Sequence, residues 1–229
     1  MTIVLPARLT SALVLSLAML GSATVHAQTQ TLPQVQFSTS TGSFVVELYS
    51  DKAPKTVANF LQYVKDKHYD GTIFHRVIPN FMVQGGGFDD KYIQKTTRAP
   101  LVHEGRDALT KGGPRNVVGT LAMARTNDPN SATAQFFINV KDNAFLDPVL
   151  IPPGDPVPRF EYQGRVYENT PRAKLLNAGQ LFGYTVFGKV VSGMDVVKKI
   201  EAMPTGAGGP FPSDVPKTSI LINSATLVK

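Results

Sequence analysis

From Gln34 onward the chain is written in short β-type runs separated by glycine- and proline-rich turns, and this punctuation excludes more folds than any other feature. The runs are Gln34 to Phe37, Ser43 to Tyr49, Thr72 to Ile78, Phe81 to Gln84, Gly119 to Met123, Gln135 to Asn139, Tyr184 to Val191 and Ser219 to Val228. Alternation over a few residues bounded by turn formers is the mark of half-buried strands. The first two runs, joined through Ser38 to Gly42, read as a hairpin. Helical periodicity occurs in two places. In DKAPKTVANFLQYVKDKHYDG, Val57, Phe60, Leu61 and Val64 recur on one face, with Pro54 near the start and Gly71 beyond the end. From Met194 to Met203, Met194, Val197 and Ile200 share a face behind Gly193. Many short strands with two isolated helices predict an antiparallel barrel or sandwich with helical covers, not a βαβ array.

The first stretch stands apart from this plan. MTIVLPARLTSALVLSLAMLGSATVHA carries Arg8, an apolar core from Ala12 to Leu20, and Val25-His26-Ala27 in the manner of an A-x-A site. That is the layout of a secretory signal cleaved after Ala27, and its apolar core falls short of the ~20 residues of a membrane span. Residues 28–33 are expected to be a flexible lead-in and residues 34–229 one domain, since a single β domain reaches roughly 200 residues. No later apolar run is long enough to span a bilayer, so stable membrane insertion is not expected. The chain has no cysteine, which removes disulfides, thiolate nucleophiles and cysteine-based zinc sites. Its net charge of +6 is dispersed, with Lys198-Lys199 but no basic stripe, and nucleic-acid binding is not expected.

One interval breaks the rhythm. DPVLIPPGDPVPRFEYQGRVYENTPRAKLLNAGQLFG, Asp147 to Gly183, has five prolines by Pro158 and little periodicity. A loop of that length inside a compact domain is functional, disordered or separately packed. We read residues 148–181 as an insertion whose second half is compatible with a hairpin or a helical turn.

Common catalytic machinery is missing. The sequence lacks G-x-S-x-G and H-E-x-x-H, and beyond the leader the histidines are His68, His75 and His103, without metal-ligand spacing. Gly85-Gly86-Gly87 lacks the phosphate-loop context and reads as a tight turn, while Asp89, Asp90 and Glu104 are scattered. What remains unusual is GTIFHRVIPNFMVQGG, an apolar run holding Arg76, and GTLAMARTNDPNSATAQFFINV. An unpaired guanidinium is costly to bury, so the strand of Arg76 must show one face to solvent. Strand alternation puts Met82 with Gln84, and Gln135 with Phe137 and Asn139, while Phe136 and Ile138 face the other way.

F-H-R-V-I-P-N-F-M-V-Q-G-G resembles the signature of the cyclophilins, which are peptidyl-prolyl cis-trans isomerases. A-M-A-R-T, S-A-T-A-Q-F-F-I-N-V, N-A-F-L-D and F-G-Y-T-V-F-G-K-V are similar to the bacterial, periplasmic branch, and the resemblance runs from about Val35 to the C-terminus apart from the insertion. It implies a closed eight-stranded antiparallel β-barrel capped by two α-helices, with a packed interior and an active site on the outer wall. Arg76 falls on the catalytic arginine, and Phe81, Met82, Phe137 and Leu146 on the pocket for the proline ring. Gln84 and Gln135 fall on the polar positions beside it, and Ala124 and Arg125 on the segment whose backbone pairs with substrate. Phe145 stands where many eukaryotic members have tryptophan and Tyr184 where they have histidine, which implies weak cyclosporin binding. The resemblance further implies no metal or cofactor, proline-containing unfolded or exported polypeptides as partners, a monomer and a periplasmic location. A cyclophilin-fold holdase that grips extended segments is the alternative. His75 points away from Arg76 by alternation, and a reaction that moves no proton gives it a structural part. The insertion, tethered between Leu146 and Tyr184, is expected to form part of the groove's rim.

Overall fold

The structure, a computed structural model, describes residues 31–228, so the expected signal and its cleavage point lie outside the described residues. The elements follow the sequence closely at first: β1 (Gln34–Thr39), β2 (Gly42–Leu48), α1 (Pro54–Lys65), β3 (Thr72–Ile73), β4 (Arg76–Ile78) and β5 (Met82–Gly85). A short α2 (Gly105–Thr110) precedes β6 (Thr120–Met123) and β7 (Phe136–Asn139). The insertion folds as β8 (Val157–Tyr162), β9 (Arg165–Thr170) and α3 (Arg172–Leu176). Then come β10 (Val186–Ser192), α4 (Met194–Glu201), the pair β11 (Thr205–Gly208) and β12 (Phe211–Pro216), and finally β13 (Leu221–Leu227).

Nine strands form one antiparallel sheet in the order β3-β13-β1-β2-β10-β6-β7-β5-β4. Thr72 to Ile78, expected as one strand, is two, and its halves stand at the two ends of the hydrogen-bonded order, an open row of nine strands. The split has a visible cause. Phe74 and His75 are both buried, which strand alternation forbids within a single one-sided run. The backbone N–H of Phe74 instead donates to Ile220 O at 3.0 Å, at the β13 side of the break.

The inner face of this curled sheet is aromatic. Phe37 and Phe44 stack at 5.0 Å across the β1–β2 hairpin, and Phe60 of α1 reaches Phe187 at 5.0 Å and Tyr69 at 5.1 Å. Each such ring taken out of water contributes about 1.5–3 kcal/mol. Helix α1 buries Val57, Phe60 and Val64 as expected, with Tyr63 added and Leu61 only partly buried. Helix α4 buries Val196, Val197 and Ile200, with Met194 packed beside them.

Helix α1 has no capping side chain of its own at Ala53. Glu104 supplies one from 49 residues away: its carboxylate accepts from Lys55 N (3.1 Å), Thr56 N (2.7 Å) and Thr56 Oγ1 (2.7 Å). An anion is favoured at a helix N-terminus by the orphan N–H groups and the dipole. Glu104, which looks unassigned in the sequence, therefore fixes helix α1 to the segment that leads to α2.

Candidate active site

The outer face of β4, β5, β7 and β6 carries a second, smaller apolar cluster. Register aligns Arg76 with Gln84, Gln84 with Phe137, and Phe137 with Ala122, so the three outer side chains Arg76, Gln84 and Phe137 form a row across the strands. Met82, Ala122, Phe137, Leu146 and Val186 pack together, flanked by Ile78, Phe81, Ala124 and Tyr184. They surround a cleft of roughly 160 Å³ lined by Arg76, Phe81, Met82, Gln84, Ala124, Arg125, Phe137, Leu146 and Tyr184. Small-molecule sites commonly enclose ~300–1,000 Å³, so this cleft fits a residue-sized apolar group.

Of the expected residues, two lie just outside the lining. Gln135 accepts from Gln84 Nε2 at 3.0 Å and opens onto an adjoining cavity of roughly 280 Å³ that also involves Ala124, Arg125 and Thr126. Phe145 is 58 % exposed and stacks on Phe81 with centroids 5.6 Å apart. The insertion contributes nothing to the cleft's lining among the described residues. Its nearest link is Tyr162 Oη, which donates to Phe145 O at 3.4 Å.

A sequence model for the cyclophilin type peptidyl-prolyl cis-trans isomerases matches residues 34–227, nearly the whole described chain. The chain belongs to this family. Peptidyl-prolyl cis-trans isomerase cyp18 of Streptomyces antibioticus is 46% identical over 194 residues, covering 85% of this chain and 98% of its own. Peptidyl-prolyl cis-trans isomerase B of Escherichia coli is 44% identical, covering 84% and 98%. Peptidyl-prolyl cis-trans isomerase A of Dickeya dadantii is 41% identical over 222 residues, covering 97% and 98%. Among solved structures, a cyclophilin type isomerase of Cryptosporidium parvum, crystallised in the presence of the dipeptide Ala-Pro, superposes with TM-score 0.58 at 21% identity, covering 86% of this chain and 99% of its own. That likeness concerns the fold.

Behind the cyclophilin cleft lies a buried polar network that sequence reasoning missed. Asn143 Nδ2 donates to Phe81 O at 2.9 Å, and Asn116 Nδ2 donates to Leu146 O at 3.1 Å. Asn143 Nδ2 also reaches Asn139 Oδ1 at 2.7 Å, and Asp147 accepts from Asn116 N (2.7 Å) and Arg115 Nη1 (3.1 Å). Two walls of the cleft are thus held by their backbones, with every partner satisfied, which gives a polar network rigidity in place of cost. Asp147 stood in the N-A-F-L-D motif, but nothing in that string points to its two partners.

Arg125 uses its side chain on the far wall. Its Nε and Nη2 donate to Gly183 O at 3.1 and 2.8 Å, and the guanidinium lies 4.5 Å over the Tyr184 ring. Gly183, with φ +61, returns the insertion against the Asp147 backbone, where a Cβ would have no room. His75 turns inward between Phe88 (4.7 Å) and Phe211 (5.5 Å), and its Nδ1 has no partner. Burial first, and the Arg76 charge second, push its pKa down to about 4, so it is neutral at neutral pH. Its ring faces away from the cleft and is not part of the lining. Among the described residues no cluster of three or more His, Asp or Glu side chains could hold a metal ion, and no helix is long and apolar enough to cross a membrane.

Proposed function

We propose that this peptidyl-prolyl cis-trans isomerase binds X–Pro segments in the cleft on the outer face of β4–β7 and accelerates rotation of the X–Pro bond through Arg76. The observation that carries the reading is Arg76 standing at the edge of a residue-sized cleft with apolar walls, while the other cation in the lining, Arg125, spends its guanidinium on Gly183 O. Rotation breaks no covalent bond, but it passes a twisted state that costs ~20 kcal/mol because amide resonance is lost. Uncatalysed passage takes on the order of 10⁻² per second, and reaching ~10³ per second requires roughly 7 kcal/mol of selective stabilisation. In the twisted state the proline nitrogen pyramidalises and gains a lone pair that accepts a hydrogen bond. A donor aimed there acts on the transition state more than on the planar ground state, as acceleration requires.

Arg76 is the donor in this reading. Its guanidinium stays charged and its planar fork keeps direction. Phe81, Met82, Phe137 and Leu146 receive the proline ring and exclude water, so the donor acts in a lower dielectric. Gln84, held by Gln135, stands beside Arg76 and braces the polar end of the substrate. Ala124 and Arg125 border the preceding residues, and Tyr184 with Phe145 flanks the apolar end. Exchanging Arg76→Ala should lower kcat/KM in a proline-limited refolding assay by about 10²–10³, the scale of losing one preorganised donor. A variant within a few-fold of wild type would refute the role, and lost catalysis with retained suppression of aggregation would show that the groove also holds unfolded chains.

The finer architecture is part of the same reading. β3 and β4 flank only Phe74 and His75, and Ile73 N donates to Phe88 O at 2.9 Å while Phe74 N donates to Ile220 O. These bonds on both sides support one interrupted strand closing an eight-stranded barrel. The leader pattern supports an exported enzyme of the periplasmic branch acting on exported polypeptides, and Phe145 and Tyr184, in place of the tryptophan and histidine of many eukaryotic members, support weak cyclosporin binding. N-terminal sequencing of the protein from fractionated cells tests this: a chain that begins at Met1 in the cytoplasm would overturn it.

A further inference from the structure

The β11–β12 hairpin brings a carboxylate to Arg76: Asp214 Oδ2 lies 3.7 Å from Arg76 Nε, and both side chains are partly exposed. Other exposed ion pairs decorate the surface, as at Arg98–Asp66 and Arg159–Glu168, and pairs of that kind contribute little by themselves. Two observations set Asp214 apart. First, its hairpin is clamped. Phe211 packs edge-on against Phe88 at 5.2 Å and tilted against His75 at 5.5 Å, while Tyr92 lies 6.3 Å from Phe211. The ring beside which Phe211 sits belongs to His75, the chain neighbour of Arg76, so clamp and target are adjacent in the chain. Second, Asp214 has φ +66, a left-handed backbone that glycine adopts without penalty and that aspartate and asparagine tolerate better than most side chains. The carboxylate is therefore presented to Arg76 from a left-handed position within β12 that few side chains occupy readily, aspartate among them.

We propose that Asp214 is a positioning residue for the isomerase reaction: engaged at Nε, it holds the Arg76 guanidinium in one direction and leaves the terminal nitrogens for the substrate. This rests on the reading of Arg76 given above. Arginine has many rotamers and half of this side chain stands in solvent, so an unbraced guanidinium would spend most of its time off target. Because the pair is solvated, it restricts direction without cancelling the cation. Misplacement of a catalytic group on the ångström scale is enough to cost rate while leaving binding intact.

The test uses five variants of the full mature chain, Arg76→Ala among them, in the refolding assay and a peptide assay that resolves kcat from KM. Asp214→Asn keeps shape and tolerates the left-handed backbone; it should lower kcat about 10-fold with KM within about 2-fold. Asp214→Gly should lower kcat equally while its thermal midpoint stays level or rises, since the backbone is relieved. A structural role would instead lower both together. Asp214→Glu, which keeps the charge, should recover part of the loss. In an Arg76→Ala background, Asp214→Asn should have less than about a 2-fold effect, because two groups acting as one unit are not additive. Asn and Gly variants with wild-type kcat, or equal losses in both backgrounds, would overturn the positioning role. Arg76→Ala alone decides the underlying reading: if that variant keeps its rate, Arg76 fails; if it loses it while the Asp214 variants do not, only Asp214 fails.

Discussion

Phe136 and Phe137 are consecutive on β7 and nearly equally inaccessible, at 0 % and 4 %, yet they belong to different parts of the molecule. Phe136 meets Phe37 at 5.4 Å, Tyr69 at 5.6 Å, Phe60 at 5.9 Å and Phe74 at 6.1 Å inside the sheet. Phe137 meets the Tyr184 ring edge-on at 5.4 Å on the outside and lines the cleft. Burial alone does not tell which side chain fills the interior and which lines the cleft; what distinguishes them is whether the neighbours close around the ring from all sides. The inner cluster is continuous through helices α1, α2 and α4 and most of the strands, whereas the outer one has few members and an open edge.

The largest expected effect follows from that contrast. Phe136→Ala leaves a void among rings that cannot collapse and should destabilise by about 3–5 kcal/mol. Phe137→Ala opens onto solvent, which can fill the gap, and should destabilise by only about 1–2 kcal/mol. Its kcat/KM should nevertheless fall about 10-fold or more, as a methyl-scale to ring-scale loss in an apolar pocket does. Urea denaturation and peptide kinetics on both variants decide it. Equal stability losses with no kinetic difference would erase the distinction between the two clusters.

How far such a distinction was legible depends on the range of the information. Alternation along β7 and β5 is local, so Phe136 against Phe137 and Met82 with Gln84 could be assigned to faces from sequence, as could α1 and α4 from their periodicity. Long-range partners could not. Nothing in T-G-A-G-G-P-F-P-S-D-V-P suggests strands, since its glycines and prolines read as loop, so β11, β12 and Asp214 were invisible. Glu104 as the cap of α1, and Asn116 and Asn143 as supports of Leu146 and Phe81, likewise act across 30 or more residues of chain. The split of Thr72–Ile78 arises where burial on both sides of Phe74 and His75 overrides alternation. The β8–β9 hairpin did carry a signal: Gln163 and Gly164, at φ 49 and 74, form a two-residue turn between alternating runs.

His75 and Arg76 repeat the same contrast with charge in place of apolar bulk, and pH separates them. Folding holds His75 neutral, with its pKa lowered from 6.5 to about 4, and His103 is lowered to about 4 by burial and by the Arg125 charge. Between those values the unfolded chain binds protons that the folded chain refuses. Stability is therefore full above about pH 6.5 and is lost as pH falls toward 4. Each group can account for about 3 kcal/mol of that loss, taking 1.36 kcal/mol for each pH unit. Replacing His75→Phe should flatten the slope of unfolding free energy between pH 6.5 and 4.5 and leave activity at pH 7 within about 2-fold, because the ring faces Phe88 and Phe211 and not the cleft. A kinetic collapse at pH 7 with stability unchanged would move His75 into the reaction.

The smallest expected effect concerns the third cluster, Val157, Tyr167, Leu175 and Leu181, which packs the insertion upon itself with Phe160 stacked on Tyr167 at 4.7 Å. Its attachment is narrow. Arg106 Nε donates to Val149 O at 3.2 Å and Nη1 to Leu176 O at 2.9 Å, while its guanidinium lies 4.4 Å over Phe182. Tyr162 alone reaches toward the substrate face, through the carbonyl of Phe145. An insertion that touches the rim but not the cleft should sort long substrates and ignore short ones. Replacing residues 148–181 by a short glycine–serine link, or loosening both stems with Arg106→Ala, should leave kcat/KM on a tetrapeptide within about 2-fold and shift proline-limited refolding of a whole protein by a few-fold, the scale of one or two exposed contacts. The Arg106 variant guards against a deletion that fails to fold. Equal rates on both substrate lengths in both variants would reduce the insertion to a self-packed appendage. An equal loss on both lengths would mean that its stems shape the cleft through Leu146 and Tyr184, which they join.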